Sequence, residues 1–162
     1  LAEAMGWSKE RVDNLYRVAM LHDVGKVVIP DEILNKRGPL TDAEYAKMKE
    51  HTDIGSAILE EISQVPLIAV GAKFHHERYD GHGYGHQLSG EEIPLEARII
   101  TVADTFDAMN STRVYRPHLT IEKILSELEH AKNTQLDGES VDVLLRLIAE
   151  GKVIIDTDVK QL

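Results

Sequence analysis

Apolar residues recur at helical spacing through most of this 162-residue chain, and this periodicity is the feature that most constrains its fold. Ser8 has the side chain of a helix cap, and an apolar stripe follows it to about Asp23. The members of that stripe are Val12, Leu15, Tyr16, Ala19 and Met20. Thr41 and Glu44 have the spacing of a capping box, which predicts a second long helix ending near Ile62. Both patterns favour a helical domain.

Four further segments predict helices, at residues 66–76, 94–109, 119–132 and 140–149. The stretch between the first two of them, residues 78–94, is rich in glycine and polar side chains and therefore predicts a long loop. Loops of that length inside a compact domain are often functional.

The few β-rich stretches are too short to predict a sheet. β-branched residues at 27–29 predict an extended connector that leads into a helical turn near residues 31–34. Another β-branched run, at residues 153–155, is short and isolated. We therefore expect an all-α helical bundle at residues 1–151, followed by a C-terminal tail at residues 152–162.

Composition limits the kinds of site, substrate and partner that the chain can have. The chain has no cysteine, which excludes disulfides and thiolate metal sites and fits a cytoplasmic location. Its net charge of −10 disfavours long nucleic acids as partners, whereas a small anionic substrate stays compatible if metal ions dominate one pocket. No apolar run approaches the roughly 18 residues of a membrane span, and no signal peptide opens the chain.

Histidines and aspartates gather at four places that could together hold a metal. These candidates are His22-Asp23, His51, His75-His76 and Asp104. Asp104 stands among isoleucine, valine and phenylalanine, and a carboxylate there is costly to bury unless it is paired or binds a cation. Asp107 follows on much the same helix face.

Each candidate also has a purely structural interpretation. Asp104 could be a hydrogen-bonded helix aspartate, His22 and His51 could be capping histidines, and a histidine pair at a helix end could be favoured by the dipole. Their convergence favours the metal site, since imidazole and carboxylate suit manganese, iron or zinc. Asp23 could then bridge two metals through its two oxygens, an arrangement that supports in-line displacement at phosphorus.

Several ordered motifs also resemble a known family. They are HDVGK at residues 22–26, HHERYDGHGY at residues 75–84, ADTFDAM at residues 103–109 and RVYR at residues 113–116. From about residue 14 to 130 the chain resembles the HD-GYP domain, a subclass of the HD metal-dependent phosphohydrolases. The resemblance implies an HD-domain helical bundle with a long glycine-rich active-site loop. It also implies cleavage of the bacterial messenger cyclic di-GMP to pGpG or GMP.

Site residues follow from the resemblance position by position. The implied metal ligands are His22, Asp23, His51, His75, His76 and Asp104, holding two or three divalent ions, with iron and manganese favoured. The implied substrate-binding residues are Lys26 at the scissile phosphate, Gly83 and Tyr84 in the loop, and Arg113 and Arg116 at phosphate or guanine. Asp23 and Lys26 would be the catalytic pair. Glu77 and Asp80 would shape the loop through hydrogen bonds.

The resemblance also implies partners for an output domain of a bacterial signalling protein. Besides cyclic di-GMP, these are a diguanylate cyclase, an upstream sensor or receiver domain, and a second copy of the chain in a homodimer.

Three departures keep alternatives open. Gly85 stands where the naming motif has proline, and Leu136-Asp137-Gly138 stands where the family often has Phe-Asp-Pro. The family takes another histidine ligand from a preceding helix, but the 21 residues before His22 contain none, so we expect that ligand upstream or an incomplete site. The alternatives are a weak or inactive module that binds cyclic di-GMP or a partner, and an HD phosphohydrolase for another nucleotide.

Overall fold

The computed structural model describes residues 1–62, 65–111, 119–153 and 155. Within these residues it contains seven α-helices and no strand, which confirms the all-α prediction. The helices are α1 (Lys9–Met20), α2 (Asp31–Leu34), α3 (Asp42–Glu60), α4 (Ile68–Phe74), α5 (Leu95–Asn110), α6 (Ile121–Ala131) and α7 (Gly138–Ala149). None of these helices has both the length and the apolar character that crossing a bilayer requires.

Side-chain caps fix where several helices begin. The Ser8 hydroxyl accepts a hydrogen bond from a backbone N–H of α1, and Thr41 and Glu44 form the predicted capping box at the start of α3. At α7, Asp137 accepts from the Ser140 N–H at 2.9 Å. This cap explains why α7 begins at residue 138, two residues earlier than the sequence predicts.

The segment after α1 differs from the prediction. α1 ends at Met20, and Val24–Val28 forms a 3₁₀ turn, so the expected extended connector is wrong at Val27 and Val28, whereas Ile29 is extended as predicted. The turn packs against α3 so closely that a Cβ on Gly25 would lie 1.9 Å from the carbonyl oxygen of His51. Backbone contact of this kind outweighs the weak strand preference of β-branched residues. It also places Asp23, just before the turn, beside α3.

Two apolar clusters share α5. The first joins α5 to α1, α3 and α4, and its most buried members include Val18, Leu59, Ala72 and Ile100. The second joins α5 to α6 and α7, and its most buried members include Val102, Ile124, Leu128 and Val141. Burying each large side chain contributes about 1.5–3 kcal/mol, so α5 is held firmly from both sides.

The segment between α4 and α5 contains no α-helix and one 3₁₀ turn, at Gly90–Glu92. It is anchored to the turn between α6 and α7 by two backbone hydrogen bonds. The Tyr79 N–H donates to the carbonyl of Gln135 at 3.2 Å, and the Asp80 N–H donates to the carbonyl of Thr134 at 2.7 Å. The end of α4 is tied to α5 separately, by a hydrogen bond that the Thr101 hydroxyl of α5 donates to the carbonyl of His75 at 2.8 Å. The predicted tail lies mostly outside the described residues.

Candidate metal centre

Four of the predicted ligands meet at one point. Ligand atoms of Asp23, His51, His75 and His76 all lie within 4.8 Å of one another. The Nε2 atoms of His51 and His75 are 3.5 and 3.6 Å from Asp23 Oδ1, and both imidazoles are buried. The 3₁₀ turn, α3 and the end of α4 therefore converge on a pocket with the geometry of a metal site.

His22 approaches the second oxygen of Asp23. The Nε2 atom of His22 is 3.4 Å from Asp23 Oδ2 and 3.9 Å from Asp104 Oδ1, and its ring centroid is 4.8 Å from that of His75. The two oxygens of Asp23 thus face different imidazoles. The four predicted histidine ligands lie around this carboxylate, and Asp104 adjoins the cluster through His22.

Asp104 is less buried than its sequence neighbours led us to expect. Its side chain is 39% exposed, although Val102 two residues earlier is fully buried. On a helix, adjacent residues point about 100° apart, so apolar neighbours in sequence do not surround a side chain in space. Asp104 points from the edge of the apolar face towards His22.

Three of the imidazoles are oriented by the backbone. The Nδ1 atoms of His22, His51 and His75 each lie 2.6–2.7 Å from a carbonyl oxygen three or four residues earlier. Because a carbonyl can only accept, Nδ1 carries the proton and Nε2 presents its lone pair. Metal-ligating histidines are commonly held by their other ring nitrogen in this way. The tautomers therefore suit a cation between the Nε2 atoms.

Unpartnered buried atoms point to the same place. Among the described residues, the buried side-chain atoms without a hydrogen-bond partner are His22 Nε2, Asp23 Oδ1 and Glu77 Oε2. Buried polar atoms are normally paired, so each such exception calls for an explanation. Two of the three belong to the proposed ligand set. A divalent cation fits them, since both atoms are electron-pair donors.

The protonation states also favour cation binding. Burial opposes ionisation of Asp23, but its contacts with His22, His75 and Lys26 outweigh it and hold the pKa of Asp23 far below its usual range. Burial lowers the pKa of His51, and burial with the neighbouring imidazoles lowers the pKa of His76 to about 2. These two imidazoles are neutral at pH 7, the form that binds metals.

The contact with Asp23 has the opposite effect on His22, whose pKa is raised. Lys26 also lies in the site, with its Nζ 2.5 Å from Asp23 Oδ2. The Lys26 ammonium supplies positive charge to a carboxylate that faces the donor cluster. Its position shows that this side of Asp23 attracts a cation.

The loop residues predicted to line the site lie against it. The Tyr84 ring stacks on His76 with centroids 4.6 Å apart and an interplanar angle of 25°. A Cβ on Gly83 would lie 2.5 Å from the backbone nitrogen of Arg78, so this position has room only for glycine. The loop therefore approaches the site as closely as its backbone permits.

Two acidic residues brace this loop as the sequence predicts. Buried Glu77 accepts a hydrogen bond from the His86 N–H at 2.6 Å. Asp80 binds the Arg78 guanidinium through both oxygens and accepts from the His82 N–H. Each carboxylate thereby closes a short segment of the loop.

Arg113 and Arg116 lie outside the described residues, so their contacts stay predictions.

Gly85 has a φ of +117°, a conformation that proline cannot adopt. The loop of this chain therefore turns differently from one with proline at that position.

Sequence reasoning missed Tyr45, which lies edge-on to Tyr84 with centroids 6.0 Å apart. The Nζ atom of Lys49, one helical turn later, lies 5.0 Å from the centroid of the Tyr45 ring. The available signal was an aromatic residue four positions before a lysine, a pattern common on helix surfaces.

Comparison with known proteins fits this geometry. The family model described as HD domain matches residues 1–140. The chain belongs to the HD domain family. A cyclic di-GMP phosphodiesterase response regulator, RpfG, from Xanthomonas campestris pv. campestris is 47% identical to this HD domain over 149 residues, covering 90% of this chain and 39% of the relative.

Two further relatives are similar to this HD domain. A cyclic di-GMP phosphodiesterase of Thermotoga maritima is 42% identical over 153 residues, covering 93% of this chain and 41% of its own length. A 3'3'-cGAMP-specific phosphodiesterase 2 of Vibrio cholerae is 40% identical over 148 residues, covering 90% of this chain and 28% of its own length. This HD domain therefore spans about two fifths or less of these relatives.

Proposed function

We propose that this HD domain is of the HD-GYP type and hydrolyses a cyclic dinucleotide, with cyclic di-GMP as the first candidate and pGpG or GMP as the product. The observation that carries the proposal is the position of Asp23, whose Oδ1 lies near Nε2 of His51 and His75 and whose Oδ2 lies near Nε2 of His22. A bridging carboxylate of this kind is typical of paired metal ions that act on phosphodiesters. The names of the three relatives support the substrate class.

Two ions fit the donor groups. Asp23 Oδ1 with His51, His75 and His76 would hold one ion, and Asp23 Oδ2 with His22 and Asp104 would hold the second. Nitrogen and oxygen donors without thiolate suit several divalent metals, and the resemblance to the HD-GYP domain favours manganese or iron among them. When bound, such a pair neutralises charge on the phosphodiester and lowers the pKa of an attacking water.

The protein side chains supply positioning and charge around that pair. Asp23 stays ionised throughout, because its pKa is far below neutrality. Lys26 lies beside Asp23, from where its ammonium would contact the scissile phosphate and offset developing negative charge. Tyr84 covers His76 and excludes water from that side. Arg113 and Arg116 would bind the remaining phosphate or a guanine edge, as the resemblance implies.

The test is turnover by the purified protein loaded with Mn²⁺ or Fe²⁺ under anaerobic conditions, using cyclic di-GMP and 3'3'-cGAMP as substrates. Asp23→Asn should lower kcat/KM more than about 100-fold and reduce bound metal, because it weakens the bridge. Asp13→Asn, the same exchange at an exposed position on α1, should change neither. Metal-loaded protein that hydrolyses no cyclic dinucleotide would refute the proposal.

A second candidate is a module that binds the nucleotide or a diguanylate cyclase without hydrolysis. The φ of Gly85 favours it, because the loop beside the site has a conformation closed to the family's proline. Nucleotide binding without turnover, together with low metal content, would support this candidate. Turnover of a different nucleotide in the same substrate panel would instead indicate another HD phosphohydrolase.

The same proposal includes control by other domains. The relative from Xanthomonas campestris is named a response regulator, which supports an output role downstream of a receiver or sensor domain. Activity of the full-length protein, compared with and without the signal received by such a domain, tests this part. A second copy of the chain is a further proposed partner, which sedimentation of the purified protein tests.

A further inference from the structure

A line of aromatic rings leads from the candidate metal centre to the protein surface. His76 stacks on Tyr84 at 4.6 Å between centroids, and Tyr84 meets the edge of Tyr45 at 6.0 Å. Tyr45 is 45% exposed, whereas Tyr84 is partly buried beneath it. We call His76, Tyr84 and Tyr45 the aromatic line. Its outer end is an aromatic ring available to a ligand.

A cation accompanies the outer ring. The Nζ atom of Lys49 lies 5.0 Å from the Tyr45 centroid, and the two residues are one turn apart on α3. α3 also carries His51, so the ring, the cation and a proposed ligand share one rigid helix. The spacing between them therefore changes little when the neighbouring loop moves.

The chemistry of the substrate class matches this arrangement. A nucleotide whose phosphate is held at the metal centre extends its base away by the length of one ribose. Nucleobases stack on exposed aromatic rings irrespective of their identity, because every base has a π face. A lysine beside the ring adds a preference for guanine, whose O6 and N7 are both acceptors.

A packing role alone explains less of what is observed. Single exposed apolar residues are common and need no function. Tyr45, however, contacts Tyr84, which in turn contacts the candidate metal centre. The Lys49 ammonium over the Tyr45 ring is a positive charge in a protein whose net charge is −10. A positive group over an exposed ring that adjoins the candidate metal centre through Tyr84 suits an anionic aromatic ligand.

We propose that Tyr45 and Lys49 form a nucleobase subsite, in which the Tyr45 ring stacks on a guanine and Lys49 donates to its acceptor edge. The subsite rests on the proposed function, since a cyclic dinucleotide phosphate at the candidate metal centre sets the distance to the base. Tyr45 contacts the part of the substrate that does not react.

The test compares two substrates of the metal-loaded protein. Cyclic di-GMP carries bases, whereas methyl p-nitrophenyl phosphate is a phosphodiester with neither base nor ribose. Tyr45→Ala should raise KM for cyclic di-GMP about 5- to 150-fold and leave KM for the base-free diester unchanged. Tyr45→Phe and Tyr45→Trp should restore the low KM, because both keep an aromatic face. Ile58→Ala, at an exposed apolar position on the same helix, serves as the control.

The outcomes separate the two proposals. If wild type hydrolyses neither substrate, the proposed function fails. If wild type is active and Tyr45→Ala leaves both KM values unchanged, the subsite alone is refuted. Equal losses on both substrates would show that Tyr45 acts through Tyr84 on the metal centre, which also refutes the subsite. Lys49→Met should reduce discrimination between cyclic di-GMP and cyclic di-AMP, and equal discrimination would overturn the role of Lys49.

Discussion

Gly25→Ala tests how the candidate metal centre is assembled. The new Cβ would lie 1.9 Å from the carbonyl oxygen of His51 and 2.6 Å from the backbone nitrogen of Gly55. Both atoms belong to the backbone of α3, so no side-chain rotation can relieve the overlap. To regain ordinary van der Waals contact, the 3₁₀ turn has to move away from α3 by about 1.5 Å.

The magnitude follows from that displacement. Overpacking of this kind costs about 1–3 kcal/mol, which for a domain of this size lowers Tm by about 2 to 12 °C. Asp23 lies two residues before Gly25 and would move with the turn, away from the Nε2 atoms of His51 and His75. A misplacement of about 1 Å can cost 100-fold in catalysis, so turnover should fall by at least that factor.

Thermal unfolding with and without Mn²⁺, combined with elemental analysis, measures both effects. Gly25→Ala should lower Tm in the absence of metal and lose most of the Mn²⁺-induced increase, because fewer ligands remain in reach. Val27→Ala, in the same turn but 76% exposed, should keep the increase. A folded Gly25→Ala protein with wild-type metal content and turnover would refute the reasoning.

Three other predictions concern stability and the loop. Hydrogen bonds from Lys36 and the capping residue lower the pKa of Glu44 from 4.5 to about 2. The ionised Glu44 carboxylate therefore stabilises the folded protein above pH 4.5, and this contribution is lost as pH falls towards 2. The urea midpoints of wild type and Glu44→Gln should differ at neutral pH and converge near pH 2. A difference that stays constant with pH would contradict this role of Glu44. Gly85→Pro should speed hydrogen exchange in the surrounding loop about 5- to 10-fold, because proline cannot adopt its φ, and unchanged exchange would contradict this. Arg98→Met should lower the free energy of urea unfolding by about 3–5 kcal/mol, because it leaves the buried Asp137 carboxylate without its ion pair. The double variant Arg98→Met with Asp137→Asn should be more stable than Arg98→Met alone, because it has no unpaired buried charge.

Most of the fold can be predicted from the sequence, because several helices begin at a side chain that caps the backbone of the same helix. Ser8, Thr41 and Thr120 each cap the helix that follows, and the apolar stripes between caps and breakers have helical period. The predicted start of α7 at residue 140 is less accurate, since Asp137 caps a helix that begins at Gly138. Local chemistry of this kind requires no knowledge of the tertiary contacts.

Two of the three misassigned features depend on distant contacts. Val27 and Val28 have strand-forming side chains, yet they lie in the 3₁₀ turn whose Gly25 packs on α3. The flanking residues of Asp104 are apolar, yet its own side chain leaves the core at the edge of α5. Tyr45 lies 39 positions from Tyr84, so nothing local connects the two rings. For the turn and for Tyr45 the deciding contact joins segments far apart in the chain, whereas the direction of Asp104 follows from helix geometry.

The candidate site combines both kinds of information. The types of ligand and the tautomers are local properties, because His22, His51 and His75 each bind a carbonyl of their own turn and present Nε2. The convergence of these atoms is not local, since it needs the turn that bears Asp23 to touch α3 backbone to backbone. A glycine two residues after the aspartate permits that contact. The aspartate therefore reaches the imidazoles on α3 and α4 because the position two residues after it has no side chain.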